Sequence, residues 1–109
     1  MQLPNFSDKF SDNLSLLPVL DTVPAIELID QSGTSVAKIE NKPGQAGSLR
    51  VYAWLAQTLG AITPEAAALG VKIYAEHTQD AIANPGKHPN IDRLFNIKTA
   101  EQTLQVKGL

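Results

Sequence analysis

Between Thr63 and Gly86 the chain reads TPEAAALGVKIYAEHTQDAIANPG, and the ends of this stretch limit the fold more tightly than any other feature of the sequence. Thr63 can cap a helix, Pro64 suits the first helical position because it has no N–H to leave unpaired, and Glu65 meets the positive end of the helix dipole. Pro85 and Gly86 close the stretch, so the expectation is one helix from Pro64 to Ala83 or Asn84. On its wheel Glu65, Lys72, Glu76 and Gln79 share one side, while Ala67, Gly70, Val71, Tyr74, Thr78 and Ala81 share the other. The small residues of that second side allow a neighbouring backbone to come close. Tyr74 reads as a half-buried ring with a polar tip, and His77 lies at the boundary beside Ile73, within reach of Asp80 at i+3.

The preceding run, SLRVYAWLAQTLG, reads as a second helix, capped by Ser48 and ended by Gly60 in a left-handed conformation. Val51, Tyr52, Leu55 and Leu59 fall on one face. Arg50, Trp54 and Gln57 fall opposite, which places Trp54 at the surface, stacked under Arg50. The short link from Gly60 to Thr63 makes the two helices an antiparallel pair. Upstream, AIELID (25–30) and SVAKIE (35–40) form a hairpin around Gly33, with Ile26 and Leu28 on one strand face. NKPGQAGS (41–48) is a loop without the glycine spacing or the Lys-Ser/Thr end of a phosphate loop.

At the N-terminal end, Phe6, Phe10, Leu14 and Leu17 recur at helical spacing between a cap at Asn5 and a stop at Pro18. Their aromatic rings are expected to dock on the core and not on a membrane, because the polar face carries Asp8, Lys9 and Asp12. Asn84 to Asn90 reverses the chain, and a short helix follows from Pro89 or Asn90 through Ile91, Leu94 and Phe95. TLQVKGL alternates as a final strand that can join the hairpin. The expected fold class is α+β: a single domain over residues 1–109, with helices packed on a small antiparallel sheet.

With 43% hydrophobic and 18% charged residues the chain has the usage of a packed protein, not a disordered one. A net charge of −2, with lysines and arginines scattered singly, gives no footprint for nucleic acid. The absence of cysteine removes disulfides, thiolate metal sites and cysteine nucleophiles. MQLPNFSDKF carries no basic start or apolar run, and no stretch reaches the length of a membrane span, so the expected setting is cytoplasmic.

Both histidines lie between residues 71 and 95, with one of the two tyrosines and a dense run of charge. The chemistry of this segment can be read in three ways. Imidazole and carboxylate together suit a metal or an acid–base pair drawn from His77, Asp80, His88 and Asp92. In the enzyme form His77 is the general base, Asp80 orients it, Tyr74 donates, and His88 with Lys87 receives an anionic substrate. In the second reading Gly86, Lys87, His88 and Arg93, with the N–H groups of Ile91 to Arg93, make a corner that holds a small anion. The third is an interaction module that binds a protein partner or a second copy of itself, with Trp54 as the contact. The lack of a GxSxG, HExxH or kinase-type run favours this module, and no cofactor is expected.

The words YAEHTQDA (74–81) and NPGKHPNIDRL (84–94) resemble a small bacterial protein family known only as a domain of unknown function. The resemblance implies a bacterial cytosolic protein. It assigns a role to no residue.

Overall fold

The computed structural model describes residues 3–109. The elements follow the order α1 (Phe10–Leu14), β1 (Ala25–Ile29), β2 (Ser35–Glu40), α2 (Ala46–Leu59), α3 (Pro64–Tyr74), α4 (Glu76–Ala83), α5 (Pro89–Phe95) and β3 (Gln105–Lys107), with a single 3-10 turn at Ala100–Gln102. The fold is α+β, as the patterning predicts. The sheet is antiparallel in the order β2-β1-β3, so the C-terminal strand does complete the hairpin. Ile26 faces Ile39, and Leu28 lies between Ala37 and Val106, so the apolar residues of the central strand stack across the sheet. In the hairpin loop Asp30 Oδ1 accepts the N–H groups of Ser32 and Thr34, and Gly33 takes a φ of 87°.

One continuous core joins the sheet to the helices. Its centre is α2, where Leu49, Val51, Tyr52, Ala53 and Leu55 are all fully buried. A helix buried on so many sides keeps only a narrow free strip, at Gln57. Trp54 is therefore half-buried, not exposed, with the Phe6 ring edge-on at 5.5 Å. Arg50 does not lie under it: the guanidinium donates to the carbonyls of Leu14 and Leu17, both at 2.8 Å, and of Pro18, and so terminates α1. Helix α2 also starts earlier than expected. Gln45 is the cap residue, without a side-chain cap bond, and Ser48 falls inside the first turn.

Two further differences come from side chains that bind backbone groups. Helix α1 covers only Phe10–Leu14, because Asn13 Oδ1 accepts the Ser7 N–H at 2.7 Å and Asn13 Nδ2 donates to the Ser7 carbonyl at 2.9 Å, which holds the preceding segment out of the helix. The expected cap at Asn5 is lost with that segment, although Phe6 and Leu17 are buried as foreseen. The expected continuous helix after Pro64 is broken at Ala75, whose φ of 53° and ψ of −115° leave the helical region. Its start is as read: Thr63 Oγ1 accepts the Ala66 N–H, with Pro64 next in sequence.

The break frees carbonyls that a helix would have satisfied, and other side chains take them up. Asn13 Nδ2 donates to the Ile73 carbonyl at 2.9 Å, and Thr78 Oγ1 donates to the Val71 carbonyl at 2.6 Å. In return the Glu76 carboxylate accepts the Phe10 N–H at 2.6 Å, capping α1 from a distant part of the chain. This bond holds the Glu76 carboxyl below its usual range. Gly70 eases a second contact, since a Cβ there would lie 2.8 Å from Leu94 Cδ1 and 3.1 Å from Leu55 Cδ1, so a larger residue would make these leucine side chains shift where α5 closes on α3.

Asn13 is fully buried with its amide saturated by backbone groups of two segments. Replacing it by leucine keeps the branched shape but leaves a buried carbonyl without a donor. Asn13→Leu is expected to destabilise the fold by about 2–3 kcal/mol in urea unfolding; an unchanged midpoint would contradict this role.

Candidate functional site

Where α1, the start of α2, the junction of α3 with α4, and the start of α5 meet, they leave a cleft of about 470 Å³. That is within the size of small-molecule sites. Phe10, Leu14 and Ile91 form its apolar walls, and Tyr74, Ser48, His77, Lys87 and His88 bring polar groups to it. The break at Ala75 sets the direction of α4 and hence the place of His77. The ring of His77 stands edge-on to Phe10 at 5.1 Å and lies 5.8 Å from the ring of His88.

His88 is the cap residue of α5, and its carbonyl accepts the N–H groups of Ile91 and Asp92, so its backbone is fixed by the helix that Pro89 begins. Its Nε2 is 2.6 Å from Asp80 Oδ2. The Pro85–Gly86 turn folds the loop back on α4 and makes this contact. Lys87 Nζ reaches the same carboxylate oxygen at 3.0 Å, and Asn84 Nδ2 donates to the other at 2.9 Å. The bond to His88, followed by that to Lys87, holds the Asp80 carboxyl down at about 2. Asp80 therefore orients His88 and not His77. The expected i,i+3 pair of His77 with Asp80 does not form, because the loop residues take both carboxylate oxygens.

Beneath the cleft, Tyr74 donates to Ser48 Oγ at 2.7 Å, and the Phe10 ring stacks on Tyr74 at 5.2 Å. Tyr52 donates to the Asn90 carbonyl and accepts from Arg93 Nη1 at 3.2 Å; the same Arg93 nitrogen donates to Asn90 Oδ1 at 2.7 Å. Burial pushes the Tyr52 phenol up to about 12 against the pull of Arg93, and burial raises Tyr74 as well. The first turn of α2 carries no acidic residue, and among the described residues the N–H groups of Gly47 and Ser48 have no intramolecular acceptor.

The candidates singled out in the sequence thus separate. Tyr74, His77, Lys87 and His88 share one cleft, with Asp80 behind His88. Gly86 and Arg93 are outside its lining: the Gly86 N–H donates to Asp92 Oδ2 at 2.9 Å, and Arg93 packs over Tyr52. The N–H groups of Ile91 and Asp92 bond to His88. Trp54 is also away from the cleft. The metal set of His77, Asp80, His88 and Asp92 is not assembled, since Asp92 turns to Gly86, and among the described residues no three histidine or acidic side chains are grouped to hold an ion. Sequence reasoning missed Ser48, taken as a cap, and the Gly44–Ser48 wall, set aside as a loop. The one available signal was the phenol of Tyr74, which required a polar partner; the ring, expected to be half-buried, is buried.

The fold and the cleft define a small α+β protein with a carboxylate-oriented histidine in a mainly apolar pocket. The chain belongs to the bacterial family described as "Uncharacterized protein conserved in bacteria (DUF2322)", whose model matches residues 10–108 and so takes in the whole cleft. Comparison with curated proteins and with solved structures gives no match. No helix among the described residues is long and apolar enough to cross a membrane.

The tyrosines give the alkaline limit of the fold. Because Tyr52 rises from 10.0 to about 12 on folding, its contribution is complete below pH 10 and is lost as pH climbs through 12, and Tyr74 acts in the same direction. Phenolate absorbance of the folded protein is expected to lag behind that of the unfolded chain, with stability falling steadily above pH 10. Normal tyrosine titration in the folded state would contradict the burial of both hydroxyls.

Proposed function

We propose that the protein binds a small organic anion in the cleft between α2, α4 and α5. The observation that carries this reading is the character of the lining: an ammonium, two imidazoles and two hydroxyls meet there, and no lining residue is a carboxylate. Of the acids beside it, Asp80 is already paired with His88 and Lys87, and Glu76 accepts the Phe10 N–H. The start of α2 supports the same sign of charge, since its dipole and the unpaired Gly47 and Ser48 N–H groups face an end of the helix without acids. Phe10, Leu14 and Ile91 would cover an apolar body attached to the anionic group. A cytoplasmic setting belongs to this reading, since that compartment holds abundant small phosphates and carboxylates.

The assembly reading, with Trp54 as the contact for a partner or a second copy, has less support. The indole is half-buried beside Phe6, and Arg50 is engaged by carbonyls at and just after the end of α1.

Titration with inorganic phosphate and with benzoate, followed by amide chemical shifts, tests the proposal. Saturable shifts are expected at Gly47, Ser48 and His88, and Lys87→Ala is expected to weaken binding by about tenfold, the loss of one charge-assisted bond. A ligand present at a hundred times its Kd should also raise folding stability by about 2.7 kcal/mol. Shifts confined to residues outside the cleft, or none at all, would overturn the reading.

A further inference from the structure

We propose that His88 is a proton acceptor for the molecule held in the cleft, with Asp80 as the residue that positions it, so that the site carries out acid–base chemistry as well as binding. This rests on the cleft being a ligand site. Its own evidence is the way the imidazole is held. Nε2 faces the Asp80 carboxylate at 2.6 Å, and Nδ1 has no intramolecular partner among the described residues. With the ring proton on Nε2, Nδ1 presents a lone pair, and it is the one nitrogen of the His88 ring left to meet a molecule in the cleft. The backbone of His88 is fixed at the start of α5, so the ring is carried by a rigid element.

The fitting substrate is a small carboxylate or phosphate ester with a hydroxyl or an acidified C–H bond near its anionic group. The proton of that bond moves to Nδ1 and its electron pair stays on the substrate. The imidazolium that forms keeps its Nε2 proton and faces the Asp80 carboxylate, which offsets the new charge. Lys87 shares that carboxylate and lines the cleft, where it can meet the substrate anion. His77 and Tyr74 are the other titratable side chains of the lining, and Asp92 is held by the Gly86 N–H.

A tie that merely fastens the loop to α4 would show the same hydrogen bond, so the test must separate the two roles. Diethyl pyrocarbonate is a suitable probe of the free nitrogen. Nδ1 attacks a carbonyl carbon of the anhydride, ethyl carbonate leaves with the broken C–O bond, and the ring then releases its Nε2 proton. The protein reacts as the intact chain, and rates are then measured separately for His77 and His88 by mass spectrometry of its peptides, at a pH where neither rate rises further. His88 is expected to react faster than His77, and Asp80→Asn is expected to slow His88 by about tenfold, the scale of losing an orienting carboxylate. Under a purely structural tie Asp80→Asn would loosen the loop, and His88 would react as fast or faster; that result overturns the proposal. Asp80→Glu, which keeps the charge, should recover part of the rate, and no recovery would also count against it. The phosphate and benzoate titrations report on binding separately: a cleft that binds but holds an unactivated His88 leaves the binding reading standing and removes this one.

Discussion

The arrangement of the C-terminal half depends on one strained residue. At Ala75 the backbone takes a φ of 53° and a ψ of −115°, a conformation that glycine adopts readily and alanine at a cost of about 1–3 kcal/mol. A conformation of this kind persists only if its surroundings hold it. Asn13 satisfies the Ile73 carbonyl, Thr78 the Val71 carbonyl, and Glu76 fixes the start of α1. The same contacts bring Phe10 onto Tyr74 and His77, so the segment that stabilises the break also forms a wall of the cleft.

The rest of the site follows from two close approaches. Gly70 lets Leu94 reach α3, which fixes α5, and Tyr52 with Arg93 holds Asn90 near the start of that helix. His88 is then carried into place at the first turn of α5, opposite the Asp80 that the redirected α4 presents. Surface pairs such as Lys87 with Asp80 add little to stability on their own. Their effect is to keep Asp80 ionised and occupied, which leaves the cleft lining with donors and without a competing carboxylate.

Much of the fold was legible because it follows local rules. Periodicity and caps gave the hairpin, the Thr63–Pro64 start, the Gly60 end and the final strand, and the wheel drawn through residues 64–83 correctly separated buried Ala67, Tyr74, Thr78 and Ala81 from exposed Glu65, Lys72, Glu76 and Gln79. The break was invisible. Alanine is the best helix former, and the groups that hold Ala75 out of the helix include Asn13, far away in sequence. The short α1 was hidden for a related reason, since the bonds of Asn13 to Ser7 compete with a helix whose apolar spacing looked sound. For the site, composition drew attention to residues 71–95 but paired His77 with Asp80, where the structure pairs His88. Spacing along one helix favoured His77, whereas a turn that no periodicity describes delivered His88.

The most direct measurement is the stability of Ala75→Gly, read from urea unfolding beside the parent chain. If the helix is broken at residue 75, glycine relieves the positive φ, and the variant should be more stable by about 1 kcal/mol after its own larger unfolded-state entropy is counted. In an unbroken helix the same change removes a good helix former and should destabilise by about 1 kcal/mol. A gain supports the break that positions Asp80 opposite His88; a loss would contradict it, and with it the geometry of the cleft.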